Sequence, residues 1–201
     1  DPLPAEAWTF FRLRPGNFPT RRLAAAAVLV VRFRQSGFLE HFARLFLATQ
    51  DGRLGGKRLA QEVERLLVVD SHGFWSERDC FLTGKATGHR RPSQLLGRDR
   101  ARDIAVNVVL PTLSGVAEET DNGRLRSAVN ETYRVYPRLP DNEILRRMRL
   151  RLDTRQRGSP GLAATAAQQQ GLIYLHKNGC SRGKCDLCFR LAGGQATQPP
   201  D

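Results

Sequence analysis

The sequence predicts a mainly α-helical fold, a bundle of about seven helices closed by a small cysteine-rich, metal-binding appendix at the C-terminal end. Apolar residues recur three and four positions apart in successive segments, the marker of one-sided helices. Convincing apolar/polar alternation and internal repeats are both missing, so strands contribute little. Three of the four cysteines fall within nine positions, in HKNGCSRGKCDLC (176–188).

The opening WTFFRLRPGNFPTRR is aromatic and basic, and Pro15, Gly16 and Pro19 keep it out of regular structure. Thr20 is positioned as an N-cap for a helix from Arg21 to about Arg34, marked by Leu23, Ala24, Ala27, Val28 and Val31; its VLVV run would also suit a buried strand. Ser36 and Gly37 end that segment. Phe38, Phe42, Leu45 and Phe46 mark a second helix ending near Gln50, and Leu59, Val63, Leu66 and Leu67 a third. Between about 70 and 97 the pattern dissolves into SHGFWSERDCFLTGKATGHRRPSQLLG, a length more typical of functional loops than of plain connections. A fourth helix, RDIAVNVVLPTLSGVA, carries Pro111 and should kink there, because proline removes a backbone donor and crowds the preceding turn.

A fifth helix runs from about Gly123 to Tyr136 and stops at Pro137. The sixth, in LPDNEILRRMRLRL, is capped by Asp141 or Asn142, with Ile144, Leu145, Met148 and Leu152 on its apolar side. Ser159 and Pro160 have the chemistry of an N-cap and first helical residue for a seventh helix that leads into the cysteines. The expected organisation is therefore a helical domain over 1–175 with its irregular loop, a metal clip over 176–190, and a disordered tail over 191–201.

A net charge of +12 and a pI near 10.7 favour an anionic partner, and nucleic acid stands ahead of membrane because no stretch is apolar enough to span a bilayer. Only four of the 32 basic residues are lysine. That bias has two readings, a phosphate-binding surface built from planar guanidinium forks or the codon usage of a GC-rich genome. Asp1 opens the sequence and Met148 is its only methionine, so the chain is expected to be part of a longer protein; no secretory signal is visible, and the cysteine pattern fits a reducing cytoplasm.

Cys180, Cys185 and Cys188 give a C-x4-C-x2-C run, in which two intervening residues let both thiolates of the last pair turn to one ion. Arg182 and Lys184 favour the thiolate forms. Zinc is the expected metal, with an iron–sulfur cluster as the alternative. For a fourth ligand there are two candidates. His176 would share a helical face with Cys180 if the helix continued past Gly179, and Cys80 sits in the long loop, where it could equally be a small buried side chain.

Candidate nucleic-acid contacts are Arg12, Arg14, Arg21 and Arg22 near the start, Arg90 and Arg91 in the loop, Arg146, Arg147 and Arg149 on the sixth helix, and Lys177, Arg182 and Lys184 around the cysteines. A further basic group, Arg98, Arg100 and Arg102, follows the loop. Phe10, Phe11 and Phe18 would either stack bases or belong to the core. No catalytic constellation emerges: GxSxG and the P-loop are missing, and the adjacent Asp70, Ser71 and His72 cannot be read as a triad.

Three stretches, FRLRPGNFPTRRLA (11–24), DIAVNVVLP with YPRLPDNEI (103–144), and QQQGLIYLHKNGCSRGKCDLC (168–188), together resemble the C-terminal half of a bacterial family catalogued as domain of unknown function 2851. The resemblance implies metal-type cysteines at Cys180, Cys185 and Cys188. It also implies a separate N-terminal half similar to restriction endonucleases, with carboxylates suited to a divalent metal. In that family the position of His176 is often lysine and Cys80 has no fixed counterpart, which weighs against both as ligands. The functional expectation is an accessory module of a DNA-processing protein that binds DNA without sequence preference. A structural or protein-interaction module with a zinc clip, and an iron–sulfur protein, are the alternatives.

Overall fold

A computed structural model describes residues 17–48, 55–81, 94–152 and 163–184. The protein is mainly helical, and it divides into two units, residues 1–132 and 133–201.

In the first unit, α1 (Pro19–Phe33) and α2 (Phe38–Ala48) are joined by a short turn at Gly37, whose φ of 74° is one that glycine adopts without strain. Phe33, Phe38 and Phe42 meet around this turn with ring centroids 5.0–5.5 Å apart, and His41 joins them 5.0 Å from Phe33. Phe33 and Phe42 are fully buried, each contributing on the order of 2–3 kcal/mol from apolar burial alone.

The first turn of α1 differs from the expected one. Pro19, not Arg21, begins the helix, Phe18 occupies the N-cap position, and the Thr20 hydroxyl instead donates across 2.8 Å to the carbonyl of Asp79. Arg21 is 2% exposed. Its guanidinium donates to the carbonyls of Trp75 and Arg78 at 3.0 Å each and of Gln94 at 3.4 Å, and pairs with the Asp79 carboxylate at 3.1 Å. A cation in a helix's first turn opposes the macrodipole, so only these tertiary partners account for its place. The same grip sets which side of α1 faces inward. Thr20, Arg21, Ala25 and Phe33 are buried, whereas Leu23, Val28 and Val31 from the apolar spacing pattern are exposed.

α3 (Gly56–Leu67) presents Leu59, Ala60, Val63 and Leu67 to the interior. Its exit leads into β1 (Val69–Asp70), which pairs antiparallel with β2 (Gln94–Leu96) through Val69↔Leu96 and Asp70↔Gln94. This two-stranded ladder, with the one-turn α4 (Phe74–Glu77), gives the region predicted as irregular a fixed frame at both ends. Local sequence misses it because strands of two and three residues carry no readable period.

Beyond β2 the chain is helical from Arg98 to Glu119, as α5 (Arg98–Ile104), a π-helical turn over Ala105–Val109, and α6 (Leu110–Glu119). The predicted disturbance at Pro111 takes the form of that π turn. The loosened register lies just ahead of the proline, where an i→i−4 bond could not close. Asn122 caps α7 (Gly123–Val135), its Oδ1 accepting from Leu125 N at 3.0 Å.

The second unit contains α8 (Glu143–Leu152), capped by Asn142 through a 2.9 Å bond from Leu145 N, and α9 (Ala166–Asn178). α9 starts later than expected. Ser159 and Pro160 lie outside the described residues, but residues 163–165 are not helical, and Thr165 caps the helix in a capping box with Gln168. Gln169 is 1% exposed; its amide accepts from Leu139 N at 2.6 Å and donates to Leu139 O at 2.8 Å. A backbone bond from Ala166 N to Tyr136 O and a bridge between Pro137 and Thr165 run beside it. α9 ends at Gly179, and Cys180–Arg182 forms a 3-10 turn followed by Gly183 at a φ of 67°.

Arg21→Ala is expected to cost about 3–5 kcal/mol in urea unfolding, because it leaves the Asp79 carboxylate buried without its cation. In the second unit, a hydrogen bond from Arg149 holds the Asp141 carboxyl below the usual carboxylate range, with smaller help from the charges of Arg149 and Arg138 and a hydrogen bond from Gln169. The native state therefore binds its proton less readily than the unfolded chain, so the stabilisation is present above the ordinary carboxylate pKa and fades as pH falls through the lowered one. Urea midpoints of wild type and Asp141→Asn should differ near about pH 6 and converge as the pH falls below the ordinary carboxylate range.

Candidate nucleic-acid interface

The first unit carries an open groove of about 1410 Å³ between α3, the C-terminal turn of α1, the strand ladder and α5. Helical spacing places Arg58, Glu62 and Arg65 along one side of α3, opposite its buried Leu59, Val63 and Leu67. Arg98 and Arg102, four apart on α5, face them. Arg32 closes one end, donating to Val68 O at 2.9 Å and to Leu66 O, both at the carbonyl-rich end of α3.

Glu64 organises the α5 side. Its side chain is 6% exposed and lies 3.2 Å from Arg102 Nε and 4.0 Å from Arg98 Nε. Arg65 makes a two-pronged bond to Glu62 at 2.6 and 2.9 Å, which lowers the Glu62 carboxyl below its usual range and raises the guanidinium. At the strand end, Gln94 Nε2 donates to Asp70 Oδ1 at 3.1 Å. The groove thus sets five guanidinium groups against three carboxylates. Arg98 is 74% exposed, and the exposed Arg58 guanidinium makes no hydrogen bond or ion pair among the described residues. Exposed forks of this kind match phosphate oxygens.

Gln94 also lines a neighbouring cleft of about 380 Å³, whose walls are Ala25, Ala26, Leu29, Leu95, Leu96 and Ile104 and whose polar rim includes Arg22 and Arg100. Of the residues that the sequence nominated for nucleic acid, Arg22 is here and exposed, whereas Arg21 is a buried strut of the fold and not a phosphate ligand. Arg12, Arg14, Arg90 and Arg91, with Phe10 and Phe11, lie outside the described residues. Phe18 is half-buried at the start of α1, its carbonyl accepting from Arg21 N and Arg22 N. On α8, Arg147 pairs with Glu143 and Arg149 with Asp141, and Arg146 is exposed; Lys177, Arg182 and Lys184 are exposed at the end of α9.

Residues 1–141 match the family described as a protein of unknown function, DUF2851. The chain belongs to that family. Neither a curated protein nor a solved structure matches it. In this DUF2851 protein the arginine groove lies wholly within the matched residues, whereas α8, α9 and the cysteine run follow them.

Of the expected metal ligands, Cys185 and Cys188 lie outside the described residues, and no group of three or more His, Cys, Asp or Glu suited to a metal occurs among those described. Cys180 is half-buried in the 3-10 turn, past the point where Gly179 ends α9, so it does not continue the helical face of His176. Cys80 is 4% exposed in the first unit, beside the Asp79–Arg21 pair, in the setting of a core side chain. His72 is exposed and Ser71 buried, while Asp70 is engaged by Gln94.

Sequence reasoning passed over Arg32, Arg58 and Arg65. None belongs to a longer basic run, and the available signal was the arginine-bearing side of α3 opposite Leu59, Val63 and Leu67.

Proposed function

We propose that this DUF2851 protein binds nucleic acid through its phosphate backbone, without sequence preference, as the accessory module of a DNA-processing protein. The observation that carries this reading is the groove of five arginines, in which Arg58 and Arg98 extend outward while Glu64 orients Arg102. Guanidinium groups gathered this way displace counterions from a nucleic acid, so affinity falls with salt.

Titration of a mixed-sequence DNA duplex from about 50 to about 200 mM salt tests it, with Arg58→Ala/Arg98→Ala beside wild type. Wild type should bind with a negative salt slope, and the double variant should bind more weakly with a slope shallower by about 2, at about 0.9 per lost phosphate contact. No binding at the lowest salt, or an unchanged slope in the variant, overturns the proposal.

A structural zinc clip at the end of α9 forms the second part of the reading. The supporting observation is that the His176 Nδ1 atom is buried and has no hydrogen-bond partner among the described residues, one turn before Cys180. With Cys180, Cys185 and Cys188 it is the candidate fourth donor of a Cys3His set, and zinc bound there would fasten the end of α9 without taking part in chemistry. Metal analysis of anaerobically purified protein should give about one zinc per chain. Cys185→Ser and His176→Ala should lower that content and Cys80→Ser should leave it intact; a brown preparation absorbing in the visible range would assign an iron–sulfur cluster instead.

A further inference from the structure

Phe74, Trp75 and Phe81 pack on one another at the surface of the first unit, with ring centroids 5.0 Å (Phe74–Trp75), 5.1 Å (Trp75–Phe81) and 5.6 Å (Phe74–Phe81) apart. None is buried: Phe81 is 68% exposed, Phe74 39%, and Trp75 is intermediate. Large aromatic side chains usually supply core area, so a cluster held at the surface marks a place where something else lies against the rings. Arg78 extends over Phe74, its Cζ 5.0 Å from the ring centroid, and puts positive charge on the platform itself.

The platform is held rigidly for a loop. Arg21 bonds the carbonyls of Trp75 and Arg78, and Thr20 bonds that of Asp79, so buried side chains of α1 fix the backbone between Trp75 and Phe81. The same Arg21 guanidinium holds Gln94 O, and the Gln94 side chain lines the arginine groove. One buried cation thus ties the aromatic platform to the strand that borders the phosphate-binding groove.

Resting on the nucleic-acid reading above, we propose that the ligand is a single strand, whose unpaired bases stack on Phe81 and Phe74 while its phosphates follow the arginine groove. In a duplex the base faces are covered by their neighbours, and exposed rings beside arginines gain little from it; an unpaired strand offers every base face to the rings and its phosphates to the forks. The stacking is tolerant of sequence because all bases have a π face.

The test uses the whole chain with Trp8→Phe, which leaves Trp75 as its only tryptophan. Thymidine and uridine oligomers and a DNA duplex of equal length are titrated, reading both affinity and Trp75 fluorescence. At least one single strand should bind tighter than the duplex and quench Trp75, with the two oligomers separating deoxyribose from ribose preference. Phe81→Ala and Phe74→Ala should each weaken single-strand binding about tenfold while leaving the salt slope and duplex affinity unchanged. Phe81→Leu, which keeps apolar area but removes the ring, should behave as Phe81→Ala does. If the duplex binds but the single strands neither bind tighter nor quench Trp75, stacking is overturned and the groove reading stands. If no oligomer or duplex binds, the groove reading itself fails.

Discussion

The first unit turns on one buried cation. Arg21 is enclosed at the start of α1, where the helix dipole disfavours it, and its guanidinium serves the carbonyls of Trp75, Arg78 and Gln94 together with the Asp79 carboxylate. Those partners lie in α4, just after it and at the start of β2, where a buried carbonyl needs a donor. A lysine could carry the charge but not the planar fork that reaches several acceptors at once. The orientation of α1 and the shared anchorage of groove and aromatic platform both involve this contact.

A neutral counterpart operates in the second unit. Gln169 makes a reciprocal pair of bonds with the backbone of Leu139, joining the start of α9 to the extended segment before α8. Gln169 lies in the QQQGLIYLHK stretch and Leu139 in YPRLPDNEI, so two motifs separated by 30 residues meet through a single amide. Both units thus fasten irregular backbone with a buried polar side chain from the first turns of a helix. Such networks fix a unique arrangement because each unmade bond would leave a buried polar group unsatisfied.

The groove illustrates how basic composition becomes a local property. Many arginines here are neutralised by near neighbours, Arg44 by Glu40, Arg147 by Glu143 and Arg100 by Asp103, and such exposed pairs add little to stability. Surplus charge collects where α3 and α5 face each other. Glu64 reduces that surplus yet holds Arg102 in a defined direction. The groove is therefore ordered in part, with Arg65 and Arg102 held by carboxylates while Arg58 and Arg98 extend outward as forks for phosphate.

Helical periodicity alone determined the mainly helical class and the approximate extent of α1, α2, α3, α7 and α8, although on α1 the spacing marked a side that is exposed. A cap at Asp141 or Asn142 and Gly179 as a helix end were also legible, since both act through bonds to residues within a few positions. The tertiary structure decided the rest. Arg21 reads as one more surface cation until its partners, 54 to 73 residues away, are known. The inward side of α1, the short ladder and the later start of α9 follow from long-range bonds that leave no local period. Arg32, Arg58, Arg65, Arg98 and Arg102 form one groove only because three helices and a strand bring them together. Sequence spacing reports neighbours within an element, whereas a binding surface is made of neighbours across elements.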